Sequence, residues 1–223
     1  MKKVGHYIEL IMSLPKSIYF NFRALPLKQA LHLPVFVHYN TALVNIHKGV
    51  LELKQVHTGL IRFGFGGTYG LQPASTEKNL IEFGNEAKII FGGRARFARG
   101  TTIRGGGTIS FGNRFSSNRN CFFGCNEKIT IGNDVLLGWN VTIRDSDNHK
   151  VFRNGELKQG KEQVIIGNHV WLCSCVDVLK GTSISDESVV AYRALVTRKF
   201  DEQHVLIGGA PARILQDGIS WEI

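Results

Sequence analysis

A hydrophobic residue recurs at every sixth position along most of the chain, and this period constrains the fold more than any other feature. The longest run consists of Ile166, Leu172, Val178, Ile184, Val190 and Val196, and shorter runs start at Phe91, Phe111 and Ile131. An α-helix would place apolar residues three and four apart, and a half-buried strand would alternate, so neither explains the period. A six-residue period is typical of a coil of short strands and tight turns, with each recurring residue pointing into the core.

Small residues often follow the recurring residue, as at Gly132, Gly138 and Gly167. A glycine suits a turn in which a Cβ atom would crowd its neighbours. Another branched or small residue follows four positions after the recurring one, as at Val135 and Val170. One turn of such a coil cannot bury its own apolar residues, so successive turns must stack as rungs. We therefore predict an all-β fold, a parallel β-helix of hexapeptide repeats.

The two ends of the chain depart from this period. Residues 1–58 contain Pro15, Pro26 and Pro34 among apolar segments, and we predict helical and extended pieces that cap the first rung. A cap is needed because the end of a stack exposes apolar side chains and strand edges. Residues 59–223 form the predicted β-helix domain, in which residues 200–223 are a short tail of strand and helix.

The N-terminal segment also has a second interpretation, contact with a membrane surface. In its first thirty residues the basic residues outnumber the acids, with Glu9 against Lys2, Lys3, Lys16, Arg23 and Lys28. The aromatic residues Tyr19, Phe20 and Phe22 lie among them. Basic and aromatic residues together are found in segments that lie on anionic membranes.

The chain carries a formal net charge of +9, which indicates an anionic partner. A phosphate-bearing cofactor or an anionic membrane fits this charge, and the absence of a basic helix or an aromatic–basic module argues against nucleic acid. The sequence contains no run of about 18 apolar residues, so no membrane-spanning helix is predicted. The 4 cysteines are spaced C-x3-C and C-x-C, unlike zinc pairs, and are predicted to be small buried residues in a reducing compartment. We therefore predict a cytoplasmic protein, with the inner face of the membrane as the alternative location.

The period stops at the sequence RDSDNHK, residues 144–150, and resumes at Ile166. The intervening residues 144–163 are polar and are predicted to leave the stack as one long excursion loop. Its His149 is suited to proton transfer near neutral pH. Asp145 or Asp147 could orient the imidazole, as a carboxylate does in a catalytic dyad, or could simply shape the turn.

The carboxyl half resembles the hexapeptide-repeat acetyltransferases, the group that contains maltose, galactoside and capsule or lipopolysaccharide sugar O-acetyltransferases. The matching motifs are I-G-x-x-V-W at 166–171, L-K-G-x-x-I at 179–184, V-V-x-x-x-x-V-T-R at 189–198 and G-x-P-A-R at 209–213. The resemblance extends over about residues 80–215. It implies a left-handed parallel β-helix, a homotrimer with acyl-coenzyme A between neighbouring prisms, and His149 as the general base.

The resemblance also assigns binding residues one position at a time. It implies that Asn118 and Trp171 contact the acceptor, although Asn118 also suits a left-handed turn and Trp171 a core position. The positions that would contact coenzyme A are Ser174, Tyr192, Thr197, Arg198 and Arg213. Arginine suits phosphate, because guanidinium forms paired charged hydrogen bonds. The sequence A-Y-R-A at 191–194 departs from the usual G-A-G-S of the family.

These assignments predict direct transfer of an acetyl group from acetyl-coenzyme A to a sugar hydroxyl during surface-polysaccharide synthesis, without a cysteine nucleophile or a metal. The alternatives are N-acetylation of an amino sugar and a non-catalytic assembly role on the same fold. A zinc hydro-lyase built on this scaffold would need three histidine ligands. Only His149 and His169 lie within the recognisable repeats, so this last alternative is disfavoured.

Overall fold

The computed structural model describes residues 2–67 and 77–222, with side chains from residue 7 onward, and its body is a parallel β-helix. Two helices come first, α1 (Lys2–Ala24) and α2 (Leu27–Ala30). The strands that follow fall into three sheets, and each rung adds one strand to each sheet. The three sheets form the faces of a triangular prism.

The strands are named in chain order and grouped by sheet. Sheet A consists of β1 (Val35–Val37), β4 (Ile61–Phe63), β7 (Ala95–Phe97), β10 (Phe115–Ser117), β13 (Leu136–Leu137), β18 (Trp171–Leu172), β21 (Val189–Val190), β24 (Leu206–Gly208) and β25 (Arg213–Gln216). Sheet B consists of β2 (Thr41–Val44), β5 (Asn79–Phe83), β8 (Thr102–Gly105), β11 (Phe122–Gly124), β14 (Thr142–Arg144), β19 (Asp177–Val178) and β22 (Leu195–Val196). Sheet C consists of β3 (Leu51–Leu53), β6 (Lys88–Phe91), β9 (Thr108–Phe111), β12 (Lys128–Ile131), β17 (Val164–Ile166), β20 (Ser183–Ile184) and β23 (Lys199–Phe200). A separate hairpin pairs β15 (Phe152–Arg153) with β16 (Glu156–Leu157).

The recurring residues of the six-residue period form the core of the prism, as predicted. Phe97, Leu137 and Val190 are each 0% exposed, and the other members of the runs are also buried. The branched residues four positions later, such as Val135 and Val170, are buried beside them. Because each rung lays its apolar residues over those of the previous rung, the stack has one continuous core.

Two different positions make the tight turns between sheets. A Cβ atom on Gly132 would lie 2.5 Å from the carbonyl oxygen of Gly167 in the next rung, which confirms the crowding predicted for the glycine after the recurring residue. The left-handed backbone lies two residues further along, at Asp134 (φ 56°), Asn140 (φ 58°) and His169 (φ 51°). The glycine is therefore required by the spacing between rungs, and the change of direction falls on a residue that the period did not single out.

The stack begins before residue 59, where the sequence period placed its start. Strands β1, β2 and β3, between Val35 and Leu53, already belong to the three sheets, and Val35 pairs in parallel register with Ile61 of β4. The corner between β2 and β3 spans residues 45–50, whereas that between β11 and β12 spans residues 125–127. The longer corner shifts the hydrophobic residues out of the six-residue period and so conceals these rungs.

Helix α1 covers the free edge of sheet A with polar side chains. Ser13, Ser17 and Asn21 lie four residues apart, on one helical face, and are each 0% exposed. The Asn21 amide donates to the Val35 carbonyl (2.6 Å) and accepts from the Val35 N–H (3.1 Å). The Val37 N–H donates to Ser17 Oγ (2.9 Å). These side chains satisfy the backbone groups that an edge strand would otherwise leave unpaired.

The opposite side of this N-terminal region is apolar and exposed, and we call it the apolar face. It consists of Tyr7, Ile8, Ile11, Met12, Leu14, Ile18, Tyr19, Phe22, Leu27 and Leu31. Tyr7 and Ile11 are 64% and 66% exposed. Within the described part of the chain, no helix has the length and hydropathy needed to cross a bilayer.

The carboxyl-terminal residues continue the stack instead of leaving it. Strand β23 pairs with β20 and β24 pairs with β21, both in parallel, and β25 then turns back antiparallel to β24. The short helix predicted for this tail does not occur within residues 200–222. Phe200, Val205 and Ile207 are buried and hold the segment to the core.

Candidate functional site

Most of the site residues predicted from the sequence lie on two different edges of the prism, and Trp171 and Arg213 lie in strands of sheet A. The turns from sheet A to sheet B form one edge, which we call the AB edge, and it carries Asn118, Ser174 and Tyr192. The turns from sheet B to sheet C form the BC edge. That edge carries Asp145, Asp147, His149, Thr197 and Arg198. A single chain therefore does not bring the two groups together.

The excursion loop leaves the BC edge after β14 and returns at β17, as the interrupted period predicted. Its outer part is the hairpin β15–β16, in which Phe152 pairs with Leu157. Asn154 (φ 52°) and Gly155 (φ 81°) form the two-residue turn, and both have the positive φ that such hairpins require. At the base, the Asp147 N–H donates to the carbonyl of Gly160 (2.9 Å) and so closes the loop.

Asp145 anchors the start of this loop to the rung below. Its buried carboxylate accepts hydrogen bonds from the backbone N–H groups of Asn126 and Glu127, both at 2.8 Å, and from Cys125 Sγ at 3.2 Å. Neither oxygen contacts the His149 imidazole. Asp145 therefore does not orient the imidazole. It shapes the turn, which is the other role predicted for it.

His149 is exposed at the start of the loop and forms no hydrogen bond with any residue that the structure describes. Asp147, the other candidate partner, instead lies 3.2 Å from Lys180 Nζ through Oδ2. Lys180 also donates to the carbonyl of Gln159 (2.7 Å), at the far side of the loop. Asp147 and Lys180 therefore fix the loop around an accessible imidazole.

The cysteines of the chain are free, and the buried ones cannot act as nucleophiles. Burial raises the pKa of the Cys121 thiol to about 12. Burial and the Asp145 carboxylate also raise the pKa of Cys125. A thiol that stays protonated at neutral pH is unreactive, so neither side chain can carry an acyl group between substrates.

Arg198 and Arg213, both predicted to contact coenzyme A, line one open groove of about 570 Å³. The segment G-x-P-A-R runs beside β22, because the Leu195 N–H donates to the Gly209 carbonyl (2.9 Å) and the Ala212 N–H donates to the Leu195 carbonyl (2.8 Å). Thr197 precedes Arg198 and is also exposed. This pairing places two guanidinium groups on one surface, as binding of a phosphate-rich ligand requires.

Ser174 and Tyr192, the remaining residues predicted to contact coenzyme A, lie on the AB edge and differ in their exposure. Ser174 is 8% exposed, and its Oγ accepts a hydrogen bond from the Trp139 N–H (3.2 Å), so its side chain holds the turn together. Tyr192 is 54% exposed, and the Arg193 guanidinium lies 5.3 Å from its ring centroid. Arg193 takes the left-handed turn position (φ 59°), where its long side chain extends outward.

The two residues predicted to contact the acceptor lie two rungs apart along the prism and face differently. Asn118 is half-buried on the AB edge, and the left-handed turn position belongs to Asn120 (φ 60°) instead. Trp171 projects from sheet A, 36% exposed, with its ring 6.0 Å from that of Trp221. Trp171 is thus a surface aromatic residue and not part of the core.

A cavity of about 580 Å³, which no sequence motif indicated, lies on sheet B beside the start of the excursion loop. Arg104 and Arg144 line it and flank Gly124 in adjacent strands. Both arginines occupy outward positions of their rungs. In the sequence each arginine lies twenty residues from Gly124, about one rung away. This spacing could have indicated that the three residues are neighbours.

Within residues 2–67 and 77–222, no three His, Cys, Asp or Glu side chains are grouped so that they could hold a metal ion.

No model of a known protein family matches the chain. It is 31% identical to the galactoside O-acetyltransferase of Escherichia coli (strain K12) over 115 residues, which cover 50% of this chain and 55% of that protein. It is also 31% identical to WbbJ of the same organism, named as a putative lipopolysaccharide biosynthesis O-acetyl transferase, over 147 residues that cover 59% of this chain and 73% of WbbJ. The chain thus spans about half the length of the first of these relatives and nearly three quarters of the second.

Among solved structures, the chain resembles a variant of AntD, an N-acyltransferase from Bacillus cereus, determined in complex with dTDP and coenzyme A. The TM-score is 0.51 at 12% identity, and the match covers 82% of this chain and 80% of that one. At this identity the likeness concerns the fold alone. The fold is the left-handed parallel β-helix that the family resemblance implied.

Proposed function

Since the chain belongs to the hexapeptide-repeat acetyltransferase family, we propose that it transfers an acetyl group from acetyl-coenzyme A to a sugar hydroxyl. The position of His149 is the observation that carries this proposal. The imidazole projects on a loop whose base is fixed by Asp145, Asp147 and Lys180. Rungs on the carboxyl-terminal side of this loop carry the Arg198–Arg213 groove, and rungs on the other side carry the sheet B cavity.

The chemistry that follows is a direct transfer. A neutral His149 imidazole takes the proton of the acceptor hydroxyl as its oxygen attacks the thioester carbonyl. A backbone amide or a water molecule stabilises the tetrahedral oxyanion. When the C–S bond breaks, the imidazolium returns the proton to the departing thiolate, so the enzyme ends in its starting state. The raised pKa values of Cys121 and Cys125 support this route over an acyl-enzyme.

The acceptor that we propose is a sugar of a surface polysaccharide, and the name of the relative WbbJ supports this class. The exposed hairpin residues Val151, Phe152 and Leu157 would cover part of a bound glycan. An amine acceptor on an amino sugar is the second candidate within the same chemistry, because the same base serves both. The free cysteines are compatible with a reducing compartment, and we place the reaction in the cytoplasm.

We further propose that the functional unit is a homotrimer. His149 lies on the BC edge, whereas Asn118 and Tyr192 lie on the AB edge of the same chain. The BC edge of one copy against the AB edge of the next would unite both groups in one cleft. Such a head-to-tail contact closes into a ring when the rotation between copies allows it, and a rotation of about 120° would give three copies.

The apolar face of the N-terminal region supports a location at the membrane surface. Its cations Arg23 and Lys28 are exposed beside Phe22 and Leu27. An apolar helix face flanked by cations binds anionic phospholipid, by burying apolar area and by attraction to the headgroups. Lys2 lies in α1, but its side chain, like that of Lys3, is outside the described part. We propose that this face docks on an anionic bilayer, near lipid-linked glycans.

The decisive experiment measures the release of free coenzyme A thiol from acetyl-coenzyme A with a panel of sugars and amino sugars. The substitution His149→Ala should lower kcat by a factor on the order of 10² to 10⁴, with unchanged binding of acetyl-coenzyme A. His57→Ala is the matched control, because His57 is exposed on another edge of the prism. Turnover with amino sugars only would favour the N-acetyl alternative, and a chain that binds no acetyl-coenzyme A would overturn the proposal in favour of an assembly role.

A further inference from the structure

The cavity on sheet B is lined by arginine, amide, hydroxyl and aromatic side chains. The lining includes Arg104, Arg144, Phe122, Asn126, Ser146 and Asn148. Its volume of about 580 Å³ lies in the range of ligand pockets. None of these residues was selected from the sequence, and none has a role in the steps described for His149.

The cavity lies on the amino-terminal side of the excursion loop that carries His149. Most of its lining comes from the rungs that precede the excursion loop, through β5, β8 and β11. The rest comes from residues 144–148, which end directly before His149. The Arg198–Arg213 groove belongs to the rungs that follow the loop. A donor in that groove and an acceptor in the cavity would therefore approach the imidazole from opposite directions along the prism.

One positive charge in the cavity is not compensated. Arg104 pairs with Glu82, with NH2 and Oε2 3.1 Å apart, so these two charges balance. Arg144 is half-buried, and its guanidinium forms no hydrogen bond or ion pair with the residues that the structure describes. An unpaired guanidinium that lines a pocket favours a carboxylate or phosphate, to which it can donate two parallel hydrogen bonds.

The other lining groups suit the ring and hydroxyl groups of a sugar. A Cβ atom on Gly124 would lie 2.8 Å from the Phe122 ring, so the glycine leaves room for this ring in the wall of the cavity. A flat aromatic ring packs against the apolar face of a pyranose. Asn126 Nδ2 donates to Asn148 Oδ1 (2.7 Å), which leaves Asn126 Oδ1 and Asn148 Nδ2 available to sugar hydroxyls.

We propose that the acceptor is an anionic sugar, and that Arg144 receives its negative group while Phe122, Asn126 and Asn148 hold the ring beside His149. The proposal rests on the function proposed above, whose acceptor class it makes specific. Two kinds of acceptor would provide one anionic group on a pyranose. One is a sugar acid with a carboxylate, and the other is a phosphosugar.

The test is binding of methyl glucuronide, glucose 6-phosphate and methyl glucoside to the full chain, measured by saturation-transfer NMR and calorimetry. At least one anionic sugar should bind about tenfold more tightly than the neutral methyl glucoside. The substitution Arg144→Gln should abolish this difference, and Arg144→Lys should retain part of it. Arg96→Gln is the matched control, because Arg96 is an exposed arginine on sheet A. A preference for the carboxylate or the phosphate identifies which anion the cavity accepts.

Equal binding of the neutral and anionic sugars, or a preference that survives Arg144→Gln, would overturn the proposal. The thiol-release assay on the same samples separates this failure from failure of the proposed function. Turnover of neutral sugars alone would leave acetyl transfer intact and reject the anionic acceptor. Anionic binding that depends on Arg144, without thiol release, would retain the cavity as an anionic-sugar site and reject the transferase.

Discussion

The side-chain amide of Asn21 forms hydrogen bonds with both backbone polar groups of Val35, as a neighbouring β-strand would. The first strand of sheet A has no preceding rung, and α1 replaces that rung with side chains. The buried side of the helix carries Ser13, Ser17 and Asn21 beside Phe20 and Ala24, whereas most of its large apolar residues face outward. The cap that ends the stack and the surface proposed for the membrane are therefore two sides of one helix.

Replacing Asn21 with leucine should destabilise the protein. The buried N–H and carbonyl of Val35 would lose their partners, which costs about 1–3 kcal/mol for each unsatisfied group. We expect the melting temperature at a fixed protein concentration to fall by about 5 °C or more. Ile11→Ala is the control on the exposed side of the same helix, with an expected effect within about 0.5 kcal/mol. Equal melting of the two variants would show that Asn21 does not stabilise the edge.

The stability of the protein should fall in mild acid because of His38. This residue is 3% exposed, and burial, aided by the charge of Arg99, lowers its pKa from 6.5 to about 4. The unfolded chain therefore binds a proton before the folded chain does. The contribution of the neutral imidazole is complete above pH 6.5 and is lost as the pH falls towards 4.

The check on His38 is the melting temperature between pH 8 and pH 4, compared with that of His38→Asn. Asparagine can keep the acceptor that His38 Nδ1 offers to the Asn40 N–H (3.1 Å) but does not titrate. The variant should lose less stability than the unsubstituted protein across this pH range. His57→Asn, at an exposed position, should follow the unsubstituted protein. Parallel curves for all three proteins would contradict the role of His38.

Arg198 and Arg213 should act in binding of the acyl donor and not in the chemical step. Each substitution to alanine removes one guanidinium from the shared groove. We expect the KM for acetyl-coenzyme A to rise about tenfold, with little change in kcat, since the lost contact is equal in the ground and transition states. Steady-state kinetics measure both parameters. Arg62→Ala, on an exposed position of β4, is the control, and a fall in kcat with unchanged KM would reject the assignment.

The apolar face should mediate binding to anionic vesicles. The substitutions Ile11→Asp and Phe22→Asp place charges among its exposed residues, and co-sedimentation with vesicles of phosphatidylglycerol should be lost. Vesicles of phosphatidylcholine alone should bind the unsubstituted protein weakly, because Arg23 and Lys28 then lack anionic headgroups. Asp substitution of Val44, exposed on sheet B, is the matched control. Equal sedimentation of all variants would show that another surface binds the lipid.

The six-residue period was sufficient to predict the β-helix, because neighbouring rungs bury the inward positions, and nearly all of these positions carry apolar residues. It also located the excursion loop and His149, since a loop outside the stack must break the period. The first rungs escaped prediction because the long corner at residues 45–50 displaces their hydrophobic residues. The same limit applies to the tail, where β24 and β25 follow no fixed spacing.

The sequence predicted the candidate site only in part. The family resemblance placed Arg198 and Arg213 in one group, and the structure brings them together through the backbone hydrogen bonds of Leu195. The sequence could not distinguish Asp145, whose carboxylate is buried, from Asp147, whose carboxylate pairs with Lys180 at the surface. Two aspartates in one loop look alike in sequence. Only their burial in the folded chain shows that Asp145 has a structural role and that Asp147 is accessible.

The sequence by itself determined the repeating core, the position of the loop and the identity of its histidine, because these depend on periodic burial and on local chain composition. The tertiary structure alone decided which side chains meet across rungs. The cavity of Arg104, Phe122 and Arg144, the separation of the AB and BC edges, and the pairing of helix α1 with the edge of sheet A all depend on contacts between residues distant in the chain. Such contacts arise from the stacking register and the corner lengths, and a local hydrophobic pattern carries no information about either.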